Sequence, residues 1–233
     1  MKSQKRTSKI NTLNIIGKGL SIKDFDMQDL YGDVMAINDA IHIVPDAMYC
    51  VFWDEKTQNK EYLHDIAKKV NKDVITISIN KNKADLQYVN YGSSNKWADV
   101  RSLDCNIIPN VNLTGLMALA VAIRLQYRKI YLFGIDGKRW GDVDHYDGTK
   151  TKWDTDKWTK YNKYYVEYIR DADITNVINP EYPSVVEGVK RITYEQYREI
   201  ANKKRAINNV IADDVREGTA TSRKEIHKTT NKK

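Results

Sequence analysis

The chain has 233 residues, 41% of them hydrophobic, and a formal net charge of +7, which suits one α/β core of ordinary size with extensions. No stretch reaches the roughly 20 apolar residues that span a bilayer, and the basic start MKSQKRTSKI meets no signal-peptide core, so a soluble, cytoplasmic protein is expected. Cys50 and Cys105 are the two cysteines and lack CxxC spacing, which argues against a disulfide framework or a cysteine-built metal site and makes both packing residues.

Residues 1–10 form a basic extension carrying Lys2, Lys5, Arg6 and Lys9. The first strand, Leu13 to Ile16, runs into Gly17, Lys18, Gly19, Leu20 and Ser21, a glycine turn followed by a helix cap. Strands follow near 34–37 and 49–53. A helix over 59–70 then places Tyr62, Leu63, Ile66 and Val70 on one face, ahead of a strand at 74–79. The passage 87–112 is rich in Gly, Ser and Asn and reads as an irregular loop. From Thr114 a helix offers Gly115, Ala118 and Ala122 at spacings that allow close approach to a sheet, with Leu116, Leu119, Ala120 and Ile123 as its apolar face. Ile130 to Ile135 then form a strand apolar enough to be covered on both faces, ending at Asp136. A helix over 154–170 carries a packing stripe of Trp158, Tyr161, Tyr165, Tyr168 and Ile169. A strand at 174–178 and a helix at 194–211 complete the core. The last residues, 213–233, are polar and basic and read as a disordered tail. The alternation predicts a doubly wound, mostly parallel sheet in a single domain, 11–212, with basic flexible termini.

Two features carry chemistry. In open parallel sheets ligands bind beyond the carboxyl ends of the strands, so Asp136 stands where substrates are handled; the alternative is an Asp that caps the next turn. The Gly17–Ser21 turn has glycines that permit close backbone approach, and free amides at the start of the following helix favour phosphate. A full dinucleotide GxGxxG would need glycine at position 22, which is Ile22. The clustered terminal charge raises a third possibility, a nucleic-acid-binding protein without catalysis.

These motifs, in this order, resemble the Rossmann-like superfamily of bacterial lipooligosaccharide sialyltransferases and 6-hydroxymethylpterin diphosphokinase-like proteins. The family's G-x-G-P-S turn is matched by Gly17, Lys18, Gly19, Leu20 and Ser21, with Leu20 in place of proline, and its strand-closing Asn by Asn38. Thr114, Gly115, the helix, and Gly134, Ile135 and Asp136 match its [ST]-G and G-[IV]-D motifs. Asn179, Pro180 and Ser184 are similar to its later N-x-[ST]-P-x-S region. The resemblance covers residues 11–200.

The sialyltransferase branch implies sugar transfer from a nucleotide-sugar donor, which is a substrate, so no cofactor is required. Gly17, Lys18, Gly19, Ser21, Asn38, Asp54, Thr114, Gly115 and Lys138 would then line the nucleotide site, and a histidine would deprotonate the acceptor hydroxyl. His145, past Asp136, suits that base. Where the branch has phosphate-steadying tyrosines, Gly137 and Lys138 follow Asp136, leaving Lys138, Arg139 or Tyr146 for the role. The acceptor would be a glycan or, given the basic termini, a hydroxylated base in DNA. The diphosphokinase branch implies ATP and Mg²⁺ held by Asp46, Asp54 and Asp136, with Pro45 and Asp46 opening its P-D strand. The expected function is a nucleotide-sugar-dependent glycosyltransferase with catalytic residues His145, Asp136 and Tyr146. The alternatives are pyrophosphoryl transfer and nucleic-acid binding.

Overall fold

The computed structural model describes residues 11–57, 60–79, 81–92, 96–111, 113–138, 145, 147–148 and 160–210. The basic extension 1–10 and the tail 213–233 lie outside them. Two compact units are distinguished: the first ends at Tyr194 and holds the whole sheet, and the second begins at Glu195, with residues 195–210 helical.

Nine strands form one sheet: β1 (Thr12–Ile16), β2 (Asp33–Ile37), β3 (Tyr49–Val51), β4 (Ile75–Ile79), β5 (Leu86–Tyr91), β6 (Ile107–Pro109), β7 (Lys129–Phe133), β8 (Asp173–Ile178) and β9 (Lys190–Thr193). Their spatial order is β6-β5-β4-β3-β2-β1-β7-β8-β9, and every neighbouring pair is parallel. The chain therefore winds outward from β1 in one direction, returns to β7 on its other side and winds outward again. Strand order reverses between β1 and β7, the place where Rossmann-like α/β sheets open a crevice at their carboxyl edge.

Among the described residues, helices α1 (Leu63–Val70), α2 (Trp97–Val100) and α3 (Thr114–Arg124) accompany the sheet. All eight residues from Leu116 to Ile123 are buried, so α3 is apolar on every side, as a helix enclosed in a core must be. By contrast α1 buries only Leu63 and Ala67 and ends on Lys68 and Lys69, as expected of a surface helix whose basic last turn complements its dipole. The strands β1, β7 and β8 supply the centre of the core, with Leu13, Ile15, Ile130, Leu132 and Ile174 among its members.

Local structure departs from expectation in four places. After Ser21 the chain makes a short 3-10 turn, Leu20–Ile22, rather than a helix. The passage 87–112 is not an irregular loop: it contributes most of β5, all of α2 and β6. β5 begins level with Ile77, inside β4, so the chain has little strand to retrace before a parallel partner can form. Its alternating exposure and the three-residue β6 ending in proline hide the strand signal. Within 154–170, residues 160–162 are helical, but a 3-10 turn follows at Tyr165–Tyr168. Tyr165 and Tyr168 are buried there as the stripe requires, while Ile169 is 41% exposed. β9, with exposed Lys190 and Arg191, closes one edge and was not expected.

Candidate functional site

The glycine turn and Asp136 meet at the reversal point. In-register pairing of Ile16 with Phe133 sets the end of β1 beside the end of β7. From there the Gly17 N–H donates to the Phe133 carbonyl at 2.8 Å and the Gly19 N–H to the Gly134 carbonyl at 2.9 Å. Gly134 has φ +62°, and its chain lies so close that a Cβ on Gly17 or Gly19 would fall 2.6 to 2.7 Å from Gly134 carbonyl oxygen. At Gly19 the same Cβ would also be 2.6 Å from Cγ and Oδ2 of Asp136. The glycines are thus demanded by two protein turns pressed together.

Asp136 is 4% exposed and Ser21 fully buried. The Ser21 N–H donates to Asp136 Oδ2 at 3.1 Å, the Ser21 hydroxyl donates to Oδ1, and the Leu20 N–H is directed at the same carboxylate. Burial pushes the Asp136 carboxyl up to about 6, against the opposing pull of the Ser21 and Leu20 donors and the Lys138 charge. The amides expected to face a phosphate are therefore occupied by an internal anion, and Asp136 clamps the turn that follows β1 to the turn that follows β7.

That clamp is itself supported from β8. Asn176, buried within β8, donates to the Ile135 carbonyl at 3.0 Å and to the Ser184 hydroxyl oxygen at 2.8 Å, while the Ser184 hydroxyl lies within bonding distance of both the Ile135 and Asp136 carbonyls. Asn162 donates to the Gly137 carbonyl at 2.6 Å. Asn179 orders the next bend by accepting the Glu181 N–H at 3.0 Å. An asparagine inside the apolar run of β8 is the signal that could have announced this network.

α3 brings its amino terminus to the same place. No side chain caps it, Thr114 and Gly115 are half-buried, and a Cβ on Gly115 would lie 3.7 Å from the Ile135 side chain and 2.5 Å from the Tyr165 hydroxyl. Ile135 likewise lies against Gly17. Gly17, Gly19, Ser21, Thr114, Gly115 and Asp136 thus converge around Ile135. The first N–H groups of an eleven-residue helix are oriented donors with a partial positive charge, the backbone arrangement that receives anions.

Lys18 ties this centre to two further segments. Its ammonium is 2.8 Å from Asp39 and 2.9 Å from Asp147, and its side chain is only 11% exposed. Burial would lower its pKa, but the two carboxylates outweigh that and hold it above the usual lysine value. Asn38, at the end of β2, has φ +53°, and its side-chain Oδ1 is buried without a hydrogen-bond partner among the described residues. Asparagine adopts left-handed backbone readily, so the distinguishing feature of this position is the buried acceptor without a partner. His145 lies two residues before Asp147, so the Lys18 contact draws the His145 segment to the glycine turn.

Other expected residues stand apart. Asp46 precedes β3 and the exposed Asp54 follows it, so they occupy opposite ends of that strand. Among the described residues no three His, Cys, Asp or Glu side chains gather to hold a metal. Lys138 is half-buried just past Asp136, and Arg139 and Tyr146 lie outside the described residues. Cys50 is buried, its thiol pushed up to about 12 by burial, as suits a packing residue, whereas Cys105 is exposed and does not pack in the core as expected. No helix among the described residues is long and apolar enough to cross a membrane. Comparison with protein-family models, curated proteins and solved structures found no match.

Proposed function

We infer that the chain is a nucleotide-sugar-dependent glycosyltransferase of the sialyltransferase-like kind, acting on a glycan or on a hydroxylated base in DNA. The observation that carries this reading is the uncapped amino terminus of α3 set against Ile135 at the point of strand reversal, with the orphaned Asn38 amide oxygen at the end of β2. The helix donors suit the donor's phosphates, and the Asn38 oxygen suits a hydroxyl or amine of the nucleoside. Lys18, paired with Asp39 and Asp147, holds the glycine turn to the segment that carries His145. Asp136 acts by fixing Ser21, and so the wall of the site, rather than by moving protons. His145 takes the proton of the attacking hydroxyl, a role for which an imidazole near neutrality is fitted.

Pyrophosphoryl transfer needs carboxylates converging on magnesium, which Asp46, Asp54 and Asp136 do not provide together. The reading is tested by thermal unfolding in the presence of CMP-, UDP- and GDP-sugars and of ATP with magnesium. A ligand at about 100 times its Kd adds about 2.7 kcal/mol, a shift of several degrees for a chain of this size. One nucleotide-sugar class should give that shift without divalent metal. A shift by ATP and magnesium alone would overturn the assignment.

A further inference from the structure

At the opposite edge of the sheet, the amino ends of β7, β8 and β9 border an open groove of about 590 Å³. Arg128 immediately precedes β7, Arg170 lies just ahead of β8, and Lys190 opens β9. Two acids also line the groove, but both are already paired: Asp171 accepts the Trp97 indole N–H at 2.7 Å and lies 3.8 Å from Arg101, and Asp173 pairs with Lys129. Among the described residues the Arg128 guanidinium donates to the Asp171 backbone carbonyl at 3.4 Å, and Arg128, Arg170 and Lys190 have no anionic partner there. Pairing of the acids leaves three exposed cations uncompensated around one concave surface.

We propose that this groove binds the phosphodiester backbone of a single-stranded nucleic acid. The cations are spread over the ends of three neighbouring strands, two inter-strand steps or about 10 Å, which fits a ligand of repeating charge better than a single anion. The exposed side chain of Ile169 gives the groove an apolar lip against which a base can rest, and the chain's net charge of +7 draws a polyanion toward it. The site is independent of the glycosyltransferase reading, because none of its residues belongs to the glycine turn or to α3.

The test is fluorescence anisotropy of the full chain with a labelled oligothymidine over a salt series, comparing wild type with the double variant Arg170→Glu/Lys190→Glu. Both residues are exposed, so the variant should keep the wild-type unfolding curve. Three phosphate contacts predict a log-log salt slope of about −2, and losing two should reduce it to below −1 in magnitude with at least a tenfold loss of affinity at physiological salt. Lys69→Glu/Lys72→Glu, equal in charge, exposed and placed at the end of α1 outside the groove lining, should change binding less than threefold. Unchanged binding in the groove variant, or equal losses in both variants, would overturn the proposal. So would tight binding of inorganic tripolyphosphate with none of the oligonucleotide.

Discussion

Replacing Gly19 by alanine should be among the most damaging single-methyl changes this chain can suffer. The new Cβ would sit 2.6 Å from Cγ and Oδ2 of Asp136 and 2.7 Å from the Gly134 carbonyl oxygen. Neither neighbour can retreat freely: Asp136 is buried and held by Ser21, and the Gly134 carbonyl receives the Gly19 N–H. Relief requires the turns after β1 and β7 to separate, which adds the loss of buried, charge-assisted hydrogen bonds to the overpacking itself. Together these effects come to about 3–5 kcal/mol, or roughly 10 °C in Tm. Gly92→Ala is the control, since that glycine has φ +48° but nothing within 4 Å of the added methyl, and backbone strain alone costs about 1–2 kcal/mol. Urea unfolding followed by circular dichroism measures both. A Gly19→Ala variant within about 1 kcal/mol of wild type would refute the clamp, since the overpacking alone is worth that much.

Three further outcomes follow from the same geometry. Gly115→Ala should be costly in the wild type and cheap in a Tyr165→Phe background, because the hydroxyl at 2.5 Å is the sole severe contact and the next ring atom is at 3.6 Å; a coupling of about 1–3 kcal/mol is expected, and strict additivity would contradict it. Asp136 titrates near 6 in the folded chain against about 3.9 unfolded, so its folded pKa is raised. Its stabilising contribution is therefore full below about pH 4 and is lost as pH rises through about 6, a change on the order of 2–3 kcal/mol that unfolding from pH 4 to 7 should show in wild type but not in Asp136→Asn. A wild-type minus Asp136→Asn difference that grows with pH would reverse the sign and defeat the assignment. His145→Ala should lower turnover by about 10² to 10⁴ with donor affinity nearly unchanged; full turnover would remove it as the base.

The central part of the fold is legible because its strands are apolar and its small residues lie at the points of closest approach. Leu13 to Gly19 and Thr114 to Asp136 can be read directly as strand, turn, helix and strand. What sequence does not reveal is who occupies the space a glycine leaves. Gly19 suggests a phosphate, yet the anion gripped by the Ser21 amide comes from Asp136, 115 positions further along. The partners of Lys18, Asp39 and Asp147, lie 21 and 129 positions away and carry no local signal. β6 and β9 escape notice because edge strands are short and half-polar, and β5, an interior strand with a largely exposed pattern, because its polar positions compete with loop composition. The 3-10 turn at Tyr165–Tyr168 shows the same limit from the other side, since aromatic spacing of three suits either helix.

Photo-crosslinking with a nucleotide-sugar analogue that carries its reactive group on the base, followed by peptide mapping, tests the proposed donor site most directly. Labelling should fall within residues 17–21, 38, 113–116 and 134–138, and should disappear when unlabelled donor is added. Competable labelling confined to the amino-terminal edge, at residues 128, 169–174 and 188–190, would contradict it.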